Sequence, residues 1–146
     1  MPSVDREVVR ERLDRLLSEV EAIEARLPES FERFAAAADE GLRYELEHRL
    51  LIAIQSMLDV ATHIAVVTGA RPLETYRDGV VALPGIGVLS HESANELAWC
   101  AGMRNVLVHE YAGVDQARVY EALREVDVLA EFAGAVWEWV GKREDR

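Results

Sequence analysis

Cysteine is almost absent: Cys100 stands alone among 146 residues. No intramolecular disulfide is available, which excludes a disulfide-braced secreted scaffold and suits a reducing compartment. Basic residues are in deficit, with 16 Lys and Arg against 27 Asp and Glu and a formal net charge of -11. Phosphate contacts need clustered Lys and Arg, so this balance argues against an obvious nucleic-acid binder unless the acidic charge sits on outer helix faces. No uninterrupted apolar run is read as long enough to span a bilayer. The opening Met-Pro-Ser-Val-Asp-Arg-Glu lacks the apolar core of a signal peptide, so a cytoplasmic address with no membrane contact is expected. Strand-type alternation, solenoid repeats and low-complexity segments are also missing.

What is present is helical periodicity. Half of the residues are hydrophobic, enough for a substantial core, and the length fits one domain over 1–146. Val9, Leu13, Leu16, Val20, Ile23 and Leu27 step by four and three, predicting an amphipathic helix over 4–27 with Ser3 as N-cap and Pro28 as its stop. Ser30 caps a short helix through Phe31, Phe34 and Ala38. Gly41 is read as a break before a helix at about 42–67. Its two apolar seams, Leu46 to Val67 and Leu51 to Ala65, mark it as central. Gly69 caps its end, ahead of Pro72. A short helix is expected around 74–83, then a loop at Pro84-Gly85-Ile86-Gly87. Ser90 caps a helix running to about His109. Asp115 caps the last, about 116–140, whose seam is Val119, Leu123, Val126, Ala130, Ala133, Trp137 and Val140. Trp137 is thereby placed in the core and Trp139 at an interface. The fold class is all-α, an antiparallel bundle of four to five helices.

The segment ending at 111 concentrates chemistry in apolar surroundings: Met103-Arg104-Asn105-Val106-Leu107-Val108-His109-Glu110-Tyr111. Buried polar groups are costly unless they are hydrogen-bonded or used. Asn105 and His109 share a helix face with Ala94, Ala98 and Ala101, whose small side chains allow a second helix to approach. Arg104 and Tyr111 fall on a different stripe. Arg104 and His109 therefore do not converge within one straight helix, and a second copy across a dimer would solve the problem of reach.

The pattern Arg-Asn-x-x-x-His-x-Tyr at 104–111, with the helix order, resembles the HEPN superfamily, in particular its HepT-like toxins. The resemblance implies a metal-independent endoribonuclease needing no cofactor. It implies a homodimer in which both motif helices line one cleft, and an MNT-type nucleotidyltransferase antitoxin that neutralises the toxin by AMPylating Tyr111. The residue chemistry is consistent with RNA as substrate. In metal-free cleavage the 2′-hydroxyl attacks its own phosphate, which needs a group titrating near neutrality and a cation for the phosphorane. His109 is assigned as general base or acid, Arg104 as phosphate stabiliser, and Asn105 as an orienting amide. The plainer alternative is a polar network that fixes helix register. At the level of function, the alternative is a non-catalytic module that pairs with a nucleotidyltransferase or binds RNA without cutting it.

Other constellations are weaker. Glu45-x-x-His48 has the spacing of one half of a di-iron site, but no second pair occurs. No metal site is expected. Asp59 and His63 are read as a local hydrogen bond or part of a polar patch. His91 is a surface residue at a helix start, and Cys100 a small core residue.

Overall fold

A computed structural model describes residues 3–36, 40–71, 73–109 and 113–144. Among them the chain is helical throughout, with no strand. The elements are α1 (Arg6–Arg26), α2 (Phe31–Phe34), α3 (Glu40–Val67), α4 (Tyr76–Ile86), α5 (His91–Glu96), α6 (Trp99–His109), α7 (Gln116–Leu123) and α8 (Asp127–Glu144). The all-α antiparallel bundle is as expected. The segment count is higher because two expected helices are each divided.

Helix α3 is the axis of the bundle, packing against α1, α4, α6, α7 and α8. Leu46, Leu50, Ala53, Met57, Val60 and Ile64 are buried on one seam, and Ile54, Leu58, Ala61 and Ala65 on the other. By length and composition α3 is apolar enough to cross a membrane, yet more than half of its most apolar window is buried inside the bundle. Its apolar character follows from being covered on several sides. The α1–α3 seam also buries a charge. Glu19, only 5 % exposed, takes Arg15 Nε at 3.2 Å and Arg49 Nη1 at 3.0 Å. Arg49 Nε then reaches Glu45 at 3.2 Å, and Glu45 meets Arg26 Nε at 2.6 Å. Glu45 is thus an ion-pair partner rather than half of a metal site, and no metal-binding group occurs among the described residues.

Helix boundaries follow capping chemistry. Asp5, not Ser3, caps α1, its Oδ1 accepting from the Val8 N–H at 3.1 Å. Its carboxylate also faces the positive end of the helix dipole, where a serine would bring no charge. Leu27 is extended ahead of Pro28. Ser30 caps α2 as expected; Ala38 lies outside the described residues. Gly41 sits inside the first turn of α3 rather than breaking it. Gly69 and Gly87 adopt positive φ, at 80° and 94°. Each closes a Schellman motif: Ala70 N–H donates to Ala65 O and Val88 N–H to Leu83 O. The expected loop at 84–87 is therefore largely helical. Pro84, Gly85 and Ile86 form the last turn of α4, and only Gly87 leaves it.

The two divisions share one cause. Around Leu97, Ala98 N–H donates to Asn95 O and Cys100 N–H to Leu97 O, a tightened i to i−3 turn that separates α5 from α6. Around Glu125, the N–H groups of Glu125, Val128 and Leu129 bond to Ala122, Glu125 and Val126 in the same way. Fewer residues per turn rotate the next helix. Beyond that point Leu129, Phe132, Ala133, Val136 and Val140 are buried, whereas Trp137 is 42 % exposed. Trp137 carries the Arg6 guanidinium over its ring, and half-buried Trp139 packs against the core. Trp137 therefore lies outside the core in which it was expected, and it is Trp139 that packs against that core.

Candidate active site

Helix α6 is thinly anchored, with only Cys100 and Met103 fully buried. Burial pushes the Cys100 thiol far above its ordinary range, so it stays protonated and acts as packing. The opposite stripe, Ala98, Gly102, Asn105 and His109, is exposed. The motif amide and imidazole therefore face outward, and Arg104 is half-buried beside them.

Arg104 is held from three directions. Its Nε donates to Gln55 Oε1 on α3 at 3.0 Å. Its Nη1 donates to Asn105 Oδ1 at 3.3 Å. Its Cζ lies 5.0 Å from the centroid of the Tyr76 ring, at the start of α4. Tyr76 is fixed there by a capping box: Thr75 Oγ1 accepts from Asp78 N–H, and Asp78 Oδ2 accepts from Thr75 N–H at 2.9 Å. Among the described residues no carboxylate pairs with the Arg104 guanidinium. In a chain with 27 acids that is a specific arrangement. Neutral acceptors and an aromatic face orient the cation and, among the described residues, leave its charge uncompensated, as an anion-binding arginine requires.

Arg104 and Asn105 are thus in contact, although they start on different helix stripes. The arginine folds back through Nη1 onto the neighbouring amide, and no hydrogen bond joins Arg104 to His109 among the described residues. His109 lies one turn beyond Asn105, exposed and without a hydrogen bond among the described residues. Tyr111 lies outside the described residues. Asp59 and His63 do not bond to each other: Gln55 Nε2 donates to Asp59 Oδ1 at 2.8 Å, and His63 Nε2 accepts the Asp5 N–H at 3.0 Å. Sequence reasoning missed Gln55 and Tyr76. The available signal for Gln55 was its spacing of four from Asp59 on an otherwise apolar helix. Tyr76 gave none, because its role depends on the α3–α4 packing.

Comparison with known proteins places the chain. The family model "Ribonuclease HepT-like" matches residues 7–136. A curated protein from Archaeoglobus fulgidus, named a putative RNase, is 33% identical over 119 residues, covering 81% of this chain and 86% of its own. The chain belongs to the HepT-like ribonuclease family. Among solved structures, the fold of this HepT-like chain matches the tri-AMPylated Shewanella oneidensis HEPN toxin in complex with MNT antitoxin. That match has a TM-score of 0.78 at 14% identity, over 92% of this chain and 99% of the toxin. It also matches the Bacillus subtilis cytosolic protein YutE, of unknown function, with a TM-score of 0.83 at 17% identity over 98% and 95% of the two chains.

Proposed function

We propose that this protein is a toxin-type, metal-independent endoribonuclease, with Arg104, Asn105 and His109 at a cleft between two protomers. The observation that carries the reading is the Arg104 guanidinium, held on Gln55, Asn105 and Tyr76 with no carboxylate partner among the described residues. Family membership supports it. In the reaction the RNA 2′-oxygen bonds to its own phosphorus as the P–O5′ bond breaks. His109 takes the 2′-hydroxyl proton, the partner protomer's histidine protonates the leaving 5′-oxygen, and Arg104 stabilises the phosphorane. The products are a 2′,3′-cyclic phosphate and a 5′-hydroxyl end. The exposed small-residue face at Ala98 and Asn105, continued by a groove lined by Val81, Pro84 and Ala101, supports dimerisation through α6. Val81 is 62 % exposed there.

Regulation follows from the Shewanella toxin, which is AMPylated and bound by an MNT antitoxin. Here a nucleotidyltransferase would transfer AMP to Tyr111: the phenolic oxygen bonds to the α-phosphorus of ATP, its proton goes to a base of the transferase, and pyrophosphate leaves. The added phosphodiester would compete with RNA for Arg104. The net charge of -11 favours a second reading, a non-catalytic module that pairs with a nucleotidyltransferase or holds RNA uncut.

One experiment separates the two readings. Purified protein is incubated with single-stranded RNA in EDTA, alongside Arg104→Ala and His109→Ala. Cleavage by the parent and its loss in both variants, with helical circular dichroism retained, establishes the nuclease. RNA left intact by the parent removes the metal-independent nuclease reading and leaves the module.

A further inference from the structure

We propose that Gln55 and Asp59 are positioning residues for Arg104, with Asp59 setting the polarity of the Gln55 amide so that its carbonyl oxygen faces the guanidinium. The inference rests on the reading of Arg104 as the phosphate-binding cation. It starts from a chain of contacts linking α1, α3 and α6. Arg12 Nε lies 4.0 Å from Asp59 Oδ2, Asp59 Oδ1 accepts from Gln55 Nε2 at 2.8 Å, and Gln55 Oε1 accepts from Arg104 Nε at 3.0 Å.

The direction of the chain is dictated by chemistry. An ionised carboxylate only accepts and a guanidinium only donates, whereas a primary amide does both. Placed between Asp59 and Arg104, Gln55 satisfies both neighbours in one orientation only. Flipping it would aim NH2 at a cation and a carbonyl at an anion. The carboxylate thus acts on Arg104 through a neutral spacer. It fixes where the guanidinium points without lying against it, as a directly paired Asp or Glu would. A direct pair would neutralise the charge that the phosphate needs. The spacer leaves that charge available while removing one long side chain's freedom to search for other acids in an acidic protein. Arg12 in turn faces Asp59 from α1 at the solvent-exposed edge of the α1–α3 contact.

Three variants test this, each assayed for RNA cleavage beside the parent and Arg104→Ala. Gln55→Met keeps length and helix preference but makes no hydrogen bond. Its kcat should fall by about a hundredfold, the scale of a misplaced catalytic group, with little change in Tm, and it should have no further effect in an Arg104→Ala background. Asp59→Asn lets the Gln55 amide adopt either orientation, so it should show a smaller loss. The exchanged pair Gln55→Glu/Asp59→Asn retains every hydrogen bond and the net charge, but moves the carboxylate against Arg104. It should restore the slow exchange of the Arg104 Nε–H proton by NMR, which Gln55→Met loses, yet raise KM for RNA. A merely structural role would not separate these two readouts. If Gln55→Met cleaves at the parental rate while Arg104→Ala is inactive, the positioning inference is wrong and the nuclease reading stands. If Arg104→Ala itself cleaves normally, the nuclease reading falls and takes this inference with it.

Discussion

The Arg104 guanidinium lies 5.0 Å from the centroid of the Tyr76 ring, so the motif arginine of α6 rests on the first residue of α4. Tyr76 is 37 % exposed, so the stacking energy belongs at the solvent-exposed end of the range, about 0.5–1 kcal/mol. Tyr76→Phe preserves the ring and should leave RNA cleavage within about twofold of the parent. Tyr76→Leu removes the quadrupole and should reduce kcat/KM by about two- to fivefold, the kinetic equivalent of that energy. Equal activity of the two variants would show that the ring does not hold the arginine.

A second contact ties distant parts of the chain. Tyr120 Oη on α7 donates to the carbonyl oxygen of Pro28 at 2.8 Å, and its ring packs against Phe34 with centroids 5.2 Å apart. Tyr120→Phe keeps the packing and strands the carbonyl in the connection between α1 and α2. The expected cost is about 1–2 kcal/mol, seen as a lower urea midpoint at unchanged m-value. Activity per folded molecule should not change, because the contacts of Tyr120 are with Pro28, Phe31 and Phe34 rather than with Arg104, Asn105 or His109.

Neither of these two contacts was legible in the sequence, whereas most of the helices were. Apolar steps of four and three identified α1 and both seams of α3, because side-chain direction repeats faithfully along an uninterrupted helix. The same rule failed after Glu125, where an i to i−3 turn rotated the seam from Ala130 and Trp137 to Leu129 and Val136. No residue type announces such a turn: it forms because tertiary packing favours the rotated face. Pro84 pointed to a loop because proline breaks helix interiors. It is accommodated near the end of α4, just before the Gly87 cap. At the site, Arg104, Asn105 and His109 were legible as a motif because they lie on one short segment. Gln55 and Tyr76 come from other helices, and only packing brings them to Arg104.

The capping box beneath Tyr76 makes the same corner sensitive to acid. Asp78 is held below its ordinary value of 3.8, first by the Thr75 backbone N–H and then by that of Glu74, with Thr75 Oγ1 adding to both. A depressed carboxylate stabilises the fold fully above its unfolded value, and that contribution is lost as pH falls through the lower folded value. Asp78→Asn should therefore be less stable than the parent at neutral pH, with the gap closing below about pH 4. Thr75→Ala should cost about 1 kcal/mol at every pH where the carboxylate is ionised. A gap between parent and Asp78→Asn that stays constant down to pH 3 would remove the carboxylate from the cap.

Two glycines of α4 give substitutions of opposite sign. Gly79 faces α3 so closely that an added Cβ would sit 3.0 Å from Thr62 Oγ1 and 3.2 Å from both Thr62 Cα and N. The hydroxyl can rotate, but the backbone of the central helix has nowhere to go, because Val60, Ala61 and Ile64 are buried on its other sides. Gly85, in the last turn of the same helix, has nothing within 4 Å of an added Cβ. Gly→Ala in a helix gains about 1 kcal/mol of propensity, and at Gly85 nothing opposes it, so Gly85→Ala should raise Tm by a few degrees. At Gly79 the gain is outweighed by overpacking of about 1–3 kcal/mol, and relief comes only by moving α4 outward. That displacement carries Tyr76 away from Arg104. Gly79→Ala should therefore lower stability and RNA cleavage together, and should lose the slow exchange of the Arg104 Nε–H proton only in part, because Gln55 is untouched. A Gly79→Ala protein as stable and active as the parent would mean that α3 yields at Thr62, and that the spacing between these two helices does not set the position of Tyr76.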